Sequence, residues 1–208
     1  MKILIGDDHS VVRRGLIQII LEEFPLALIT ESADGIEMQN LANHNKYDII
    51  ISDISMPNRA GLAFIKELKD SQPTTPILIL TMHAAEQYEL RCVRAGAAGF
   101  LNKESATEEL IAAINSLLIG VKYISKEVLI LLSKTKEKNL RKLPHETLSS
   151  REFEVFNLMI EGSSSVQISE KLSIGPTTVS TFKKRIFQKI GVSTLADLIR
   201  YSVDNQLK

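Results

Sequence analysis

One short apolar run sets the strongest limit on how this 208-residue chain can fold. Asp48 is followed by three isoleucines, Ser52 and a second carboxylate at Asp53, and the run ends at Met56-Pro57. A β-branched run bounded by turn signals is typical of a strand that is buried on both faces, as in a parallel sheet. A carboxylate where such a strand ends lies at the edge where open α/β sheets keep their sites. The simpler interpretation is that Asp53 only begins a turn, because Asp is common there.

Three further apolar runs also end in polar side chains. The residues at these ends are the pair Asp7 and Asp8, then Thr81, and then Lys103. If the four strands are parallel neighbours, three carboxylates, a hydroxyl and an ammonium meet at one edge of the sheet. Neighbouring carboxylates repel one another unless a cation joins them, and carboxylate oxygens suit Mg²⁺. A lysine and a hydroxyl beside them suit an added phosphoryl group.

In order and spacing, residues 1–120 resemble the receiver domain of two-component response regulators. The matching residues are Asp7-Asp8, Asp53 followed by Met56-Pro57, Thr81, Phe100 and Lys103. The resemblance implies that Asp53 accepts a phosphoryl group from a sensor histidine kinase. It implies that Thr81 and Lys103 bind the phosphoryl oxygens, and that Mg²⁺ is held by Asp7, Asp8, Asp53 and the backbone carbonyl of Ser55.

A switch is expected from the same residues. When the Thr81 hydroxyl moves to the phosphoryl oxygen it vacates space, and the Phe100 ring can turn inward. Thr81 and Phe100 would then couple a local bond to the surface beyond the last strands.

The periodicity of residues 1–120 predicts five strand–helix pairs, which indicates a doubly wound α/β sheet. The resemblance implies the flavodoxin-like strand order 2-1-3-4-5. The pattern places the second strand at residues 26–30, and it begins two of the helices at Ala60 and Ala85.

The net charge of zero hides an uneven distribution. Residues 1–120 hold 10 Lys/Arg and 16 Asp/Glu, a balance of −6, whereas residues 121–208 hold 15 and 9, a balance of +6. Such asymmetry suggests a part that meets a polyanion. The single cysteine, Cys92, excludes an internal disulfide framework, and the four histidines show no metal-ligand spacing. No apolar run is long enough to span a membrane and the start does not read as a signal peptide, so we expect a cytoplasmic protein without a membrane partner.

Residues 121–147 read as a linker that carries a short helix at residues 126–134. The following run to Lys142 is charged and poor in apolar residues, which favours a solvated tether over a nucleic-acid contact. Residues 148–208 are helical again. Two short helices joined by Ser173-Ile174-Gly175, with Pro176 opening the second, form a helix-turn-helix pattern.

The second of these helices separates an apolar stripe from a polar one. Val179, Phe182, Ile186 and Ile190 recur on the predicted core face. The predicted DNA-binding residues are Thr177, Ser180, Thr181, Lys184 and Gln188 on the opposite face, with Lys183 and Lys189 on the flanks. Hydroxyls, an amide and cations suit a DNA major groove and its phosphates. An ordinary solvated face remains the alternative.

Residues 148–204 resemble the LuxR-type helix-turn-helix, so the whole chain resembles a NarL-type response regulator. The matching residues are Leu148 to Val155, Gly162, Ile168, Leu172, Thr178-Val179, Ile186, Lys189 and Gly191. Ser180 stands where the family often has lysine, and Phe182 where it often has histidine. Because one short helix reads few base pairs, we expect a homodimer on DNA with paired half-sites.

Two rival functions start from the same residues. An aspartyl nucleophile with Mg²⁺ also fits haloacid dehalogenase-type phosphohydrolases, but their second Asp, the general acid, is Ser55 here. The other rival is a DNA binder with a vestigial receiver. The predicted function is a phosphorylation-controlled transcription regulator of a two-component system and not an enzyme.

Overall fold

The computed structural model describes residues 1–58, 61–82, 86–134, 143–205 and 207. Within this part the chain divides into two compact units, Met1–Leu131 and Leu132–Lys208. The first unit therefore includes residues 121–131, which begin the predicted linker. The basic run 135–142 and the predicted helix starts at Ala60 and Ala85 lie outside the described residues.

Five strands of the described residues form one parallel sheet in the order β2-β1-β3-β4-β5, which confirms the predicted flavodoxin-like fold. The strands are β1 (Lys2–Gly6), β2 (Leu28–Ser32), β3 (Ile49–Asp53), β4 (Ile77–Thr81) and β5 (Gly99–Asn102). The helices that alternate with them are α1 (Ser10–Glu23), α2 (Gly35–His44), α3 (Gly61–Ser71), α4 (Glu86–Ala95) and α5 (Ala106–Leu118).

All five residues of β3 are buried, as the isoleucine run predicts. Alternate residues of a strand face opposite sides of a sheet. Ile49 and Ile51 join Ile3 and Ile5 in the core that also takes in residues of α1 and α5. The carboxyl end of β3 is therefore held inside the unit, and Asp53 is 3% exposed there.

The predicted bounds of the second strand are wrong by two residues. The chain is still turning after α1, where Ala27 N–H donates to the Phe24 carbonyl at 2.9 Å. Pairing with β1 begins only at Leu28, opposite Lys2, and Leu26 is 90% exposed. The apolar character of Leu26 suggested a strand, but it is the hydrogen-bonded register with β1 that determines where β2 begins.

The rest of the described chain is helical. Its helices are α6 (Lys126–Lys134), a 3-10 turn (Pro144–Thr147), α7 (Ser150–Ile160), α8 (Ser165–Leu172), α9 (Pro176–Ile190) and α10 (Leu195–Asp204). Ser149 caps α7 by accepting from Glu152 N–H, and the Glu152 carboxylate accepts from Ser149 N–H in return. This reciprocal capping box determines where α7 begins.

Candidate functional site

Most of the predicted phosphorylation residues come together at the carboxyl ends of β1, β3, β4 and β5. Side-chain ligand atoms of Asp7, Asp8, His9 and Asp53 lie within 4.8 Å of one another. Lys103 Nζ lies 2.8 Å from Asp53 Oδ2 and 2.8 Å from Asp7 Oδ2. Parallel strands in register put these ends side by side, because β3 pairs with both β1 and β4.

The Lys103 ammonium is the cation of this cluster, and its side chain is only 9% exposed. Burial lowers the pKa of Lys103, but its hydrogen bonds to Asp53 and Asp7 raise that pKa by more, so it lies above its usual value. Burial raises the pKa of Asp53 above its usual value, and contacts with Lys103 and Ser55 N–H only partly oppose this. The ion pair therefore holds a charged lysine against a carboxylate that burial would otherwise neutralise.

The donor set fits Mg²⁺. Asp7 Oδ2 is buried, and the Lys103 ammonium lies 2.8 Å from it. Asp8 is partly exposed at the same edge, with a side chain that is 34% accessible. Carboxylate oxygens with room for water are the ligands that Mg²⁺ prefers. Asp7, Asp8 and Asp53 would hold the ion.

Ser55 and Thr81 complete the edge through backbone contacts. Ser55 N–H donates to Asp53 Oδ1 at 3.1 Å, so it lies in the turn directly beside the carboxylate, while the role of its carbonyl stays a prediction. Thr81 is fully buried at the end of β4, and its carbonyl accepts Lys103 N–H at 2.8 Å. Phe100, the other predicted switch residue, lies on β5 and is 9% exposed.

Two residues of this edge were missed by sequence reasoning. His9 N–H donates to Asp7 Oδ1 at 2.8 Å, and its Nδ1 lies 2.9 Å from Asp8 Oδ1. Arg13, one turn into α1, donates from Nη1 to the Asp7 carbonyl and from Nε to Glu31 Oε2 at 2.8 Å. Their closeness in sequence to Asp7-Asp8 is the signal that could have found them.

The turn of the helix-turn-helix lies at Ser173-Ile174-Gly175, as predicted, and its left-handed residue is the serine and not the glycine. Ser173 ends α8 with a left-handed backbone, φ 51°, whereas Gly175 has φ −66° and precedes Pro176 as the N-cap of α9. Helices commonly end on a left-handed residue, usually glycine. Here the serine takes that role, and Ser169 Oγ reinforces the turn by donating to the Ile174 carbonyl.

The two faces of α9 are separated as the periodicity predicts. Its buried residues are Val179, Ile186 and Ile190, and Phe182 is half-buried. The exposed ones include six of the seven predicted DNA-binding residues: Thr177, Ser180, Thr181, Lys183, Lys184 and Gln188. Ser180 and Thr181 donate to carbonyls four residues back, so their remaining lone pairs can accept hydrogen bonds.

Lys189 has a partner inside its own unit. Its Nζ donates to Glu152 Oε2 at 2.6 Å and to the Thr147 carbonyl at 3.3 Å. Burial raises the pKa of Glu152, but hydrogen bonds from Lys189 and Ser149 lower it by more, so it lies below its usual value. Lys189 thus connects the end of α9 to the capping box of α7, and its contact with DNA stays a prediction.

Helix α10 has an apolar stripe that is partly exposed. Leu195 and Val203 are 40% and 58% exposed, Ile199 is half-buried, and Leu198 is fully buried. Its buried side packs on α7. None of the helices in the described part of the chain combines the length and the apolar character that crossing a membrane requires.

Two curated families match this chain. Residues 3–115 match the response regulator receiver domain, and residues 146–202 match the bacterial regulatory proteins of the luxR family. The oxygen regulatory protein NreC of Staphylococcus carnosus (strain TM300) is 33% identical over 214 residues, which cover 100% of this chain and 99% of that protein. NreC of Staphylococcus epidermidis (strain ATCC 12228) is 33% identical over 215 residues, with the same coverage.

Solved structures of similar proteins match nearly the whole length of this chain. RcsB from Salmonella enterica serovar Typhimurium, bound to promoter rprA in the presence of the phosphomimetic BeF3⁻, is 27% identical with a TM-score of 0.69, covering 97% of this chain and 98% of that one. A structure of two RcsB dimers bound to two parallel DNAs is 29% identical with a TM-score of 0.58, covering 97% of each chain. From the matched families and these full-length relatives, the chain belongs to the response regulators of two-component systems, in the class that joins a receiver domain to a LuxR-type DNA-binding domain.

Proposed function

We propose that this chain is a cytoplasmic transcription regulator whose binding to DNA as a dimer is promoted by phosphorylation of Asp53. The observation that carries the proposal is the contact of Lys103 Nζ with both Asp53 Oδ2 and Asp7 Oδ2, each at 2.8 Å. The buried carboxylate that receives the phosphoryl group already has beside it the cation that would bind the product.

The transfer starts from a phosphohistidine of a sensor kinase. An Asp53 carboxylate oxygen forms a bond to phosphorus while the bond from phosphorus to the histidine nitrogen breaks. The nitrogen keeps the electron pair, so atoms and charge balance. Bound Mg²⁺ would supply charge neutralisation as the phosphoryl group approaches the carboxylates. Lys103 would exchange its contact with Asp53 for one with a phosphoryl oxygen, and the Thr81 hydroxyl would bind another.

The protein acts as a stoichiometric acceptor and not as a turnover enzyme. A phosphohydrolase of the rival class needs a general acid two residues after the nucleophile, where this chain has Ser55. The Ser55 N–H is directed at Asp53 Oδ1, which holds the carboxylate in place without supplying a titratable proton.

The DNA-binding unit would read the major groove with the exposed polar stripe of α9. Base-edge contacts specify sequence, whereas contacts to phosphates give affinity without sequence information. RcsB, a relative of similar structure, is bound to promoter DNA in the presence of a phosphomimetic and, in another structure, as dimers on DNA. These relatives support the same mode of action here, with α10 contributing its exposed apolar residues to pairing.

Phosphorylation is tested by adding a small-molecule acyl phosphate and Mg²⁺ to the full chain and measuring its intact mass. The expected result is one phosphoryl group per chain in the wild type and none in Asp53→Asn. Asp48→Asn is the matched control, because Asp48 lies at the other end of β3 and accepts from Lys2 N–H. Asp8→Asn should weaken both labelling and Mg²⁺ affinity. Multiple turnover of the donor would favour the phosphohydrolase, and an unlabelled wild type would indicate a vestigial receiver.

A further inference from the structure

The segment after α5 is fastened to two different elements of the first unit. The Tyr123 carbonyl accepts Phe100 N–H at 2.9 Å, and Tyr123 N–H donates to the Ala98 carbonyl at 3.1 Å. Tyr123 thereby adds one parallel bridge to the outer edge of β5. Two residues later, Ser125 N–H donates to Glu89 Oε1 at 2.6 Å, and Glu89 belongs to α4.

Gly99 leaves room for two side chains packed against β5, because a Cβ there would lie 2.8 Å from Leu78 Cδ1 and 3.1 Å from Leu117 Cδ1. The Tyr123 carbonyl oxygen, 3.4 Å from that position, is at ordinary contact distance. The Tyr123 hydroxyl also donates to Glu109 Oε2 at 2.8 Å, which ties the same segment to α5. The segment is thus held at the sheet edge by its backbone and at α5 by a side chain.

Glu89 acts at the beginning of α6. Glu89 is 6% exposed, and its carboxylate accepts a hydrogen bond from the N–H of Ser125, the residue directly before α6. Ser125 in turn accepts Val128 N–H on Oγ at 3.2 Å and Leu129 N–H on its carbonyl at 3.1 Å. A negative charge near the N-terminus of a helix is favourable. The position of this helix start therefore depends on α4 as well as on β5.

We propose that these contacts carry the phosphorylation signal from β5 and α4 to the linker. They are made by Glu89, Phe100, Tyr123 and Ser125, and together they are called the clamp below. The inference rests on the proposed function, since it extends the Thr81–Phe100 switch by one step. The Phe100 N–H that bonds to Tyr123 belongs to the residue whose ring turns. When β5 moves relative to α4, the clamp cannot keep both anchors, and the Glu89–Ser125 bond opens. Glu89 is a positioning residue, which acts on α6 through Ser125.

The test is amide hydrogen exchange on the full chain, followed at Ser125 by NMR, with and without an acyl phosphate and Mg²⁺. Loss of a hydrogen bond to a charged group corresponds to roughly a tenfold or greater gain in local opening. Phosphorylated wild type should exchange Ser125 about tenfold faster than the unmodified protein, on the same estimate. Unphosphorylated Glu89→Ala should show the faster rate already, and its affinity for a mixed-sequence DNA duplex should no longer respond to phosphorylation.

Two variants serve as controls. Glu89→Gln keeps an acceptor oxygen, so Ser125 in this variant should exchange at close to the wild-type rate. This variant keeps the proposal testable if Glu89→Ala folds poorly. Tyr123→Phe loses only the bond to Glu109 and should keep the DNA response, because the backbone pairing with β5 remains.

The outcomes separate the clamp from the proposed function. If the wild type takes no label at Asp53, the proposed function and the signal route are both overturned. If it is labelled while Ser125 exchange stays constant, only the clamp is overturned. The clamp is also overturned if the labelled Glu89→Ala protein shows the wild-type exchange rate at Ser125 and the wild-type DNA response.

Discussion

Replacing Lys189 by methionine should mainly lower the stability of the DNA-binding unit and not its affinity for DNA. The substitution removes the ammonium that donates to Glu152 Oε2 at 2.6 Å and leaves a carboxylate that is 4% exposed. Glu152 keeps its hydrogen bond from Ser149 N–H and its place at the start of α7, so the buried charge is not wholly unpaired.

The magnitude follows from those partners. Removing one member of a fully buried ion pair costs about 3–5 kcal/mol, and a hydrogen bond to a charged group contributes about 1.5–3 kcal/mol. Lys189 is 39% exposed and Glu152 retains a donor, so solvent screening reduces the expected loss to about 1–2 kcal/mol. For a domain of this size such a loss lowers Tm by very roughly 4–16 °C.

The pH dependence has a definite sign. The folded-state pKa of Glu152 lies below its usual value, so the pair stabilises the unit above the ordinary glutamate pKa of about 4.3. That stabilisation is lost as the pH falls through the folded-state pKa, because the protonated carboxyl no longer pairs with Lys189. The difference in unfolding free energy between wild type and Lys189→Met should therefore be largest near neutral pH and shrink in acid.

The assay is urea unfolding of residues 132–208, repeated on the full chain, together with DNA titrations at several salt concentrations. Lys184→Met is the matched control, because Lys184 is exposed on the same helix and should change stability by less than about 0.5 kcal/mol. Unchanged stability of Lys189→Met, with a salt slope lower by about one unit, would refute the internal role and show that Lys189 contacts a phosphate.

Three further predictions concern the other sites. Thr81→Ala should still be labelled at Asp53 yet show little phosphorylation response in DNA binding, measured by titration before and after labelling; a normal response would contradict the switch. Lys184→Ala should cost about 1–3 kcal/mol on a selected duplex and less on random DNA, and equal losses would assign it to phosphate. Arg13→Lys keeps the charge but loses the two-pronged hold on the Asp7 carbonyl and Glu31, so calorimetry should show weaker Mg²⁺ binding; unchanged affinity would show that the hold is dispensable.

Local patterns in the sequence were enough to predict the fold class and the stripes of α9. A buried parallel strand must be apolar on both faces, and the isoleucines before Asp53 meet that requirement over consecutive residues. An amphipathic helix repeats every 3.6 residues, so Val179, Ile186 and Ile190 identify the inner face without any knowledge of what covers it. Both signals are short-range because backbone geometry sets the period.

Only the tertiary structure decided the contacts between distant residues. Lys189 and Glu152 are separated by 37 positions, and Ser125 and Glu89 by 36. Periodicity can place a charged side chain at a strand end or on a helix face, but the partner it meets depends on how the elements pack. That is why the bond of Lys189 to Glu152 was not predicted, and why the beginning of β2 follows its register with β1 and not the apolar residues before it.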